Sequence, residues 1–263
     1  MELGLAGKVV AVAAASKGLG KAVALRLAQE GASVGICSRS EANVARAAKE
    51  IEAQTGATVL ATAADLTQAG EAERFVAATA ERFGGLDALV CNAGGPPAGA
   101  FDDCDDAAWE QAFWLTLMSV VRLCRAALPL LKQRGGGRIV NITSISIKQP
   151  VDNLLLSNSL RMGVLGLSKS LANEVGEDHI TVNCVCPGYT ETERLDELFR
   201  GRAEQMNVGL DEVKRHIAQT VPLQRLGQPG ELADLVALLC SERCQYLSGA
   251  AIQVDGGAVK GYA

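Results

Sequence analysis

The sequence predicts an α/β protein with one doubly wound parallel sheet of about seven strands flanked by helices, a single domain over residues 1–263. Short apolar runs alternate with longer segments of helical period along nearly the whole chain. Most of those runs are apolar throughout, as expected of strands covered on both faces. No Pro/Ser-rich linker divides the chain, and no period of 20–50 residues repeats.

In chain order, the apolar runs place strands at 8–13, 33–37, 58–63, 88–91, 138–142, 181–185 and 251–254. Between them the patterning places helices at 19–29, 41–54, 69–82, 107–131, 154–174 and 231–241. Two segments break the rhythm. Residues 96–106 hold Gly, Pro and an acidic cluster, read as a loop with carboxylates at the start of a helix. Residues 193–222 form a polar, irregularly helical insertion beyond the carboxyl end of the sixth strand, where open α/β sheets bind ligands. They are expected to form a substrate lid. Helices 107–131 and 154–174 are apolar on more than one face, which predicts burial in a homo-oligomer.

Apolar residues make up 48% of the chain and charged residues 21%, which permits a large core and excludes intrinsic disorder. The net charge of −5 offers no basic field for a polyanion, so no nucleic-acid partner and no membrane partner is expected. No signal peptide and no membrane-spanning run is expected. Eight cysteines are too few for a disulfide framework at this length, and Cys37, Cys91 and Cys184 lie within strand-like runs as small hydrophobes. Cys184/Cys186 and Cys240/Cys244 lack zinc-site spacing, so no metal is expected. Free thiols point to a reducing, cytoplasmic setting.

The first strand runs into Ala14-Ala15-Ser16-Lys17-Gly18-Leu19-Gly20 and then a helix. Gly18 and Gly20 let the backbone approach a diphosphate, and the helix N-terminus offers it free N–H groups. The next strand ends in Ser38-Arg39. A carboxylate there would hold the ribose 2′-hydroxyl of NAD. Arg39, with Lys17, instead suits a 2′-phosphate and favours NADP(H) over NAD(H), unless Arg39 is only a solvated charge.

With these pieces the chain resembles the short-chain dehydrogenase/reductase family over nearly its whole length. Asp65-Leu66 follows the third strand and Asn92-Ala93-Gly94 the fourth. Ser144 follows the fifth. Asn183 and Pro187-Gly188 stand at the sixth, and Val254-Asp255-Gly256-Gly257 comes near the end. The resemblance implies a Rossmann-type dinucleotide fold in which Asp65 bonds the adenine, Asn92, Ala93 and Gly94 line the cofactor, and Pro187–Thr192 hold the nicotinamide side. It also implies a homo-oligomer, usually a tetramer, built on helices 107–131 and 154–174. One departure is that the family's Thr-Gly opening is Ala13-Ala14 here. Alanine tolerates that turn only at negative φ.

The family's reaction uses a Tyr phenol, activated by a Lys four residues later, while a Ser thirteen residues earlier holds the substrate oxygen. Ser144 is in place, but the Tyr position holds Ser157 and the Lys position Arg161, and the relay Asn on the preceding helix is replaced by Thr116. Gly163-Val164 and Gly166–Lys169 secure this register. Serine reaches roughly 4 Å less than tyrosine and is a far weaker acid. Arginine holds its proton, so Arg161 is expected instead to fix the cofactor ribose or to stabilise developing negative charge. Ser157 therefore does not replace the phenol. Tyr189 and Lys148 are the alternative proton donors, unless Tyr189 is a ring packed beside the cofactor and Lys148 a solvated cation.

Segment 144–161 also resembles a divergent family branch, often labelled 3-oxoacyl-carrier-protein reductase, with Ser-Asn-x-x-Arg in place of Tyr-x-x-x-Lys. Halohydrin dehalogenases share the Arg but keep the Tyr and lose the nucleotide turn. The resemblance implies hydride transfer between NADP(H) and a ketone or secondary alcohol. A non-redox lyase, isomerase or dehydratase, or a catalytically silent nucleotide-binding protein, remains open.

Overall fold

Each of the seven apolar runs forms a strand in the computed structural model, which describes residues 2–261 apart from the side chain of Gln205. The strands are β1 (Val9–Val12), β2 (Ser33–Ser38), β3 (Val59–Ala63), β4 (Ala88–Cys91), β5 (Gly137–Ile142), β6 (Ile180–Pro187) and β7 (Ala251–Val254). They form one parallel sheet in the order β3-β2-β1-β4-β5-β6-β7. Val10 lies in register with Val34 of β2 on one side and Ala88 of β4 on the other. Strand order reverses between β1 and β4, so a crevice opens beyond their carboxyl ends.

Helices α1 (Gly18–Gln29), α2 (Glu41–Thr55) and α9 (Pro229–Cys240) cover one face. Helices α3 (Glu71–Phe83), α5 (Ser119–Gln133) and α6 (Leu155–Glu174) cover the other. The period-2 alternation of a strand divides β1 between them: Val10 and Val12 enter the first core, Val9 and Ala11 the second. Both faces are covered by helices and buried, which explains why the strands read as unbroken apolar runs. Cys37, Cys91 and Cys184 are buried among them, and desolvation pushes the Cys37 thiol up to about 12.

Local signals set the helix ends. Ser40 caps α2 by accepting from the Asn43 N–H at 3.3 Å, and Gly56 closes it at φ 72°. Helix α9 begins two residues before the position expected from its apolar pattern, because Pro229 occupies its first turn, where no N–H is needed.

The segment expected as one helix over 107–131 is three pieces: α4 (Asp106–Phe113), a π-helical turn (Trp114–Met118) and α5. The continuous 106–133 stretch is long and apolar enough to cross a membrane. Its α5 part instead packs on the sheet through Leu123, Cys124, Ala127 and Leu131. The insertion 193–222 is more regular than its polarity suggests. It forms α7 (Glu193–Met206) and α8 (Leu210–Thr220), which share a small core of Leu195, Phe199, Ala203, Val213, Ile217 and Leu226. Thr192 caps α7 by accepting from the Leu195 N–H at 3.3 Å.

Candidate active site

The glycine turn after β1 sits at the switch point. Gly18 has φ 57°, in the left-handed region. A Cβ on Gly20 would lie 2.5 Å from the Ala14 carbonyl oxygen and 2.7 Å from Asn92 Nδ2. Asn92, after β4, donates to that carbonyl at 3.1 Å, so the two turns that flank the crevice are tied together. Only a residue without a side chain fits beneath this bond.

Ala14 departs from what its residue type favours. Its φ is +48°, so the condition of a negative φ is not met and the alanine is held in the left-handed region. That conformation costs an L-residue about 1–2 kcal/mol, partly offset by the entropy a glycine would lose. Ala14→Gly should therefore raise stability by about 0.5–1 kcal/mol, a shift of about 1–4 °C in Tm, read by thermal denaturation.

Around this turn the cofactor-side residues take the following places. Leu19 packs against the core below the turn and Leu66 is buried. Ser16 is half-buried, as are Ala93 and Pro187's neighbour Gly188. Ser38 Oγ donates to the Ser40 carbonyl at 3.1 Å. Arg39 is exposed at the end of β2 and makes no ion pair among the described residues. One oxygen of Asp65 accepts from the N–H and hydroxyl of Thr67, at 3.1 and 2.8 Å. Gly94 is exposed at the mouth.

The 193–222 insertion reaches this turn. A Cβ on Gly18 would lie 3.6 Å from Thr192 and 3.8 Å from Glu193 Oε2. Glu197 pairs with Lys17 at 3.4 Å and with Arg194 at 3.5 Å. Arg194 Nη2 donates to the Pro96 carbonyl at 2.6 Å. The turns after β1, β4 and β6 are thus stitched together by the first turns of α7. Sequence patterning gave no signal for Arg194 or Glu197, because a charged residue on a polar helix is ordinary.

Beyond β5, the chain turns at Ser144, whose Oγ accepts from the Ser146 N–H at 3.1 Å. Across from it on α6, Ser157 and Arg161 lie one helical turn apart. Arg161 Nε donates to Ser157 Oγ at 3.1 Å. Its Nη1 donates to the carbonyls of Ile142 at 3.2 Å and Thr143 at 2.9 Å. The Ser146 and Ser157 hydroxyls stand 3.5 Å apart. The fold brings Ser144, Ser157 and Arg161 together, and it adds Ser146. Asn158 pins the approach to α6 by pairing both ways with Val151, at 3.1 and 3.0 Å.

Arg161 is 9% exposed and makes no ion pair among the described residues. Desolvation brings its pKa down to about 10, with Arg194 a smaller influence in the same direction, so it stays charged at neutral pH. Two of its three nitrogens face inward, and only Nη2 is without a hydrogen bond to a described residue. Thr116 is buried in the π-helical turn, and its hydroxyl has no partner among the described residues.

Tyr189 packs against Phe199 of α7, with ring centroids 6.2 Å apart, and burial raises its pKa. That placement matches a packed ring and makes it a poorer acid. Lys148 is half-buried rather than solvated, and makes no ion pair among the described residues. Its charge acts on the thiols of Cys184 and Cys186 at the end of β6.

Residues 13–259 match the family model described as enoyl-(acyl carrier protein) reductase. The chain is 36% identical over 255 residues to dehydrogenase/reductase SDR family member 4 of Oryctolagus cuniculus, covering 97% of this chain and 94% of that protein. Among solved structures, it is similar to L-sorbose reductase of Gluconobacter frateurii complexed with NADPH and L-sorbose. That comparison has a TM-score of 0.94 and 32% identity, covering 99% of this chain and 100% of the other. Actinorhodin polyketide ketoreductase with NADPH gives a TM-score of 0.92 and 34% identity, covering 97% of this chain and 98% of the other. With the seven-stranded Rossmann-type sheet, these likenesses show that the chain belongs to the short-chain dehydrogenase/reductase family.

Proposed function

We propose that the chain is an NADP(H)-dependent oxidoreductase acting on a ketone or secondary alcohol through an active site without the Tyr/Lys pair. The observation that carries this reading is the close packing at Gly20, where the Ala14 carbonyl and Asn92 occupy the place of a Cβ and so hold the glycine turn and the N-terminus of α1 at the switch point. Gly18, Gly20, Asn92, Asp65 and Thr192 would hold the dinucleotide, and Lys17 and Arg39 its 2′-phosphate. When bound, the cofactor supplies or accepts the hydride.

The chain's own residues orient the substrate and offset its charge. Ser144 and Ser157 hold the substrate oxygen. Arg161 and Lys148 stabilise negative charge as it develops there, in a site of low dielectric. In reduction the alkoxide formed at the substrate carbon, held by Ser144 and Ser157, is basic enough to take its proton from solvent, because residue 157 offers no acid of suitable pKa. The L-sorbose reductase and the ketoreductase, both solved with NADPH, support the cofactor and the carbonyl class. In this reading the protein works as a homotetramer in the reducing cytoplasm. Sedimentation should give about four times the 27.4 kDa chain mass.

The test is titration of NADPH fluorescence, followed by absorbance of NADPH against a ketone panel. Micromolar binding with slow NADPH oxidation is expected. No binding at millimolar levels, or product formed without any change in NADPH, would overturn the reading. Arg39 makes no ion pair with the described residues, so its substitution is informative. Arg39→Ala should weaken NADPH binding by about 10- to 100-fold and leave NADH binding within about twofold, as expected for loss of a charge-assisted phosphate contact.

A further inference from the structure

Resting on the NADP(H) reading, we propose that Glu197 is an internal competitor of the cofactor's 2′-phosphate for Lys17, and that it thereby sets how strongly the chain prefers NADPH to NADH. The two cations assigned to the 2′-phosphate are not equally available. Arg39 is exposed and makes no ion pair among the described residues. Lys17 is engaged: its Nζ lies 3.4 Å from Glu197 Oε1, and no other described residue holds the ammonium. This contact joins the glycine turn after β1 to α7 across 180 residues. Neighbouring contacts fix α7 in that place. Thr192 lies 3.6 Å and Glu193 Oε2 3.8 Å from where a Gly18 Cβ would stand. Arg194 Nη2 donates to the Pro96 carbonyl at 2.6 Å. The Arg194 guanidinium lies against the bare backbone of Gly95, where a Cβ would meet Nε at 3.1 Å and Nη2 at 3.3 Å.

Glu197 has two seats for one carboxylate. Its Oε1 faces Lys17, and its Oε2 faces Arg194 Nη1 at 3.5 Å, about one turn earlier on the same helix. Arg194 is held by Pro96 and Gly95 whether or not Glu197 reaches Lys17. A 2′-phosphate brings a charge of about −1.5 to −2 to Lys17 at neutral pH. A carboxylate at the same ammonium repels it. On binding NADPH, Glu197 gives up Lys17 and keeps Arg194. NADH presents a hydroxyl at that position and leaves the Lys17–Glu197 pair intact. The pair therefore weighs against NADPH alone, by about two- to fivefold, the worth of an exposed ion pair.

The experiment titrates NADPH, NADH and adenosine 2′,5′-bisphosphate into the full chain and into Glu197→Gln, at low ionic strength, where exposed charges are least screened. Glu197→Gln should tighten NADPH and the bisphosphate by about two- to fivefold and leave NADH within about 1.5-fold. In a Lys17→Gln background the same change should leave NADPH within about 1.5-fold, since the pair it removes is already gone. If Glu197→Gln tightens NADPH and NADH alike, or tightens NADPH as much without Lys17, only the field of a nearby charge is at work and the competition is refuted. Unchanged NADPH binding in Glu197→Gln refutes it as well, and in each of these cases the NADP(H) reading stands. If NADPH tightens as expected but no ketone or alcohol is turned over, the competition stands and the oxidoreductase reading falls. If neither NADPH nor the bisphosphate binds the chain or its variants, both fall.

Discussion

The double variant Ser157→Tyr/Arg161→Lys should increase kcat for neutral ketones by about 10²–10⁴-fold, the usual contribution of a positioned general acid. Ser157 and Arg161 already stand one turn apart on α6, with the Ser146 hydroxyl 3.5 Å from that of Ser157 and Ser144 two residues before Ser146. The double change restores a phenol with an ammonium beside it, which keeps its pKa below the usual value of about 10 and lets it exchange a proton near neutral pH. Lysine also releases the Ile142 and Thr143 carbonyls now held by Arg161 Nη1. The gain is therefore expected to come with a loss of stability of about 1–3 kcal/mol. Ser157→Tyr alone should gain less, because Arg161 is committed to those carbonyls. Steady-state NADPH oxidation measures the effect, and Ser144→Ala in the double variant should remove it. An unchanged kcat would show that proton delivery is not what limits this enzyme.

Gly20→Ala should weaken NADPH binding by about 100-fold or more, corresponding to roughly 3 kcal/mol. The added Cβ would meet the Ala14 carbonyl at 2.5 Å, Asn92 Nδ2 at 2.7 Å and Ala15 Cα at 3.0 Å. Two of these are backbone atoms, so the turn itself must move, at about 1–3 kcal/mol for overpacking and about 1 more for the broken Asn92 bond. Gly18→Ala provides the contrast. Its Cβ finds space, 3.6 Å from Thr192, so only the strain of φ 57° applies and the loss should be about tenfold. Fluorescence titration of the two variants checks this ranking. Equal losses would mean that steric approach at Gly20 is not what shapes the site.

The strands were legible because each is buried on both faces and so carries an apolar run. Six helices were legible because their faces differ. The boundaries moved where a cap or a proline decided them, as at Pro229. The 107–131 helix concealed its π-helical turn, because an extra residue in one turn leaves the apolar count unchanged. The regular helices of the 193–222 insertion were hidden by their polar outer surfaces, since a core as small as Leu195, Phe199, Ala203, Val213, Ile217 and Leu226 gives little contrast over 30 residues. At the site, the chemistry-bearing types could be counted from motif spacing: Ser144, Ser157 and Arg161 meet as spaced. What spacing could not show was the direction of the guanidinium, the φ of Ala14 or the burial of Lys148.

The sequence by itself determined the parallel sheet, the nucleotide turn and the absence of a phenol at residue 157. Each of these is written in nearest-neighbour chemistry: apolar runs, glycines and the identity of one side chain. Only the tertiary structure decided that Arg161 turns inward onto the Ile142 and Thr143 carbonyls, that Tyr189 packs against Phe199 of α7, and that Glu197 reaches Lys17 across 180 residues. A side chain's partners and its dielectric surroundings depend on which distant segments pack against it, and that information exists only once the chain has folded.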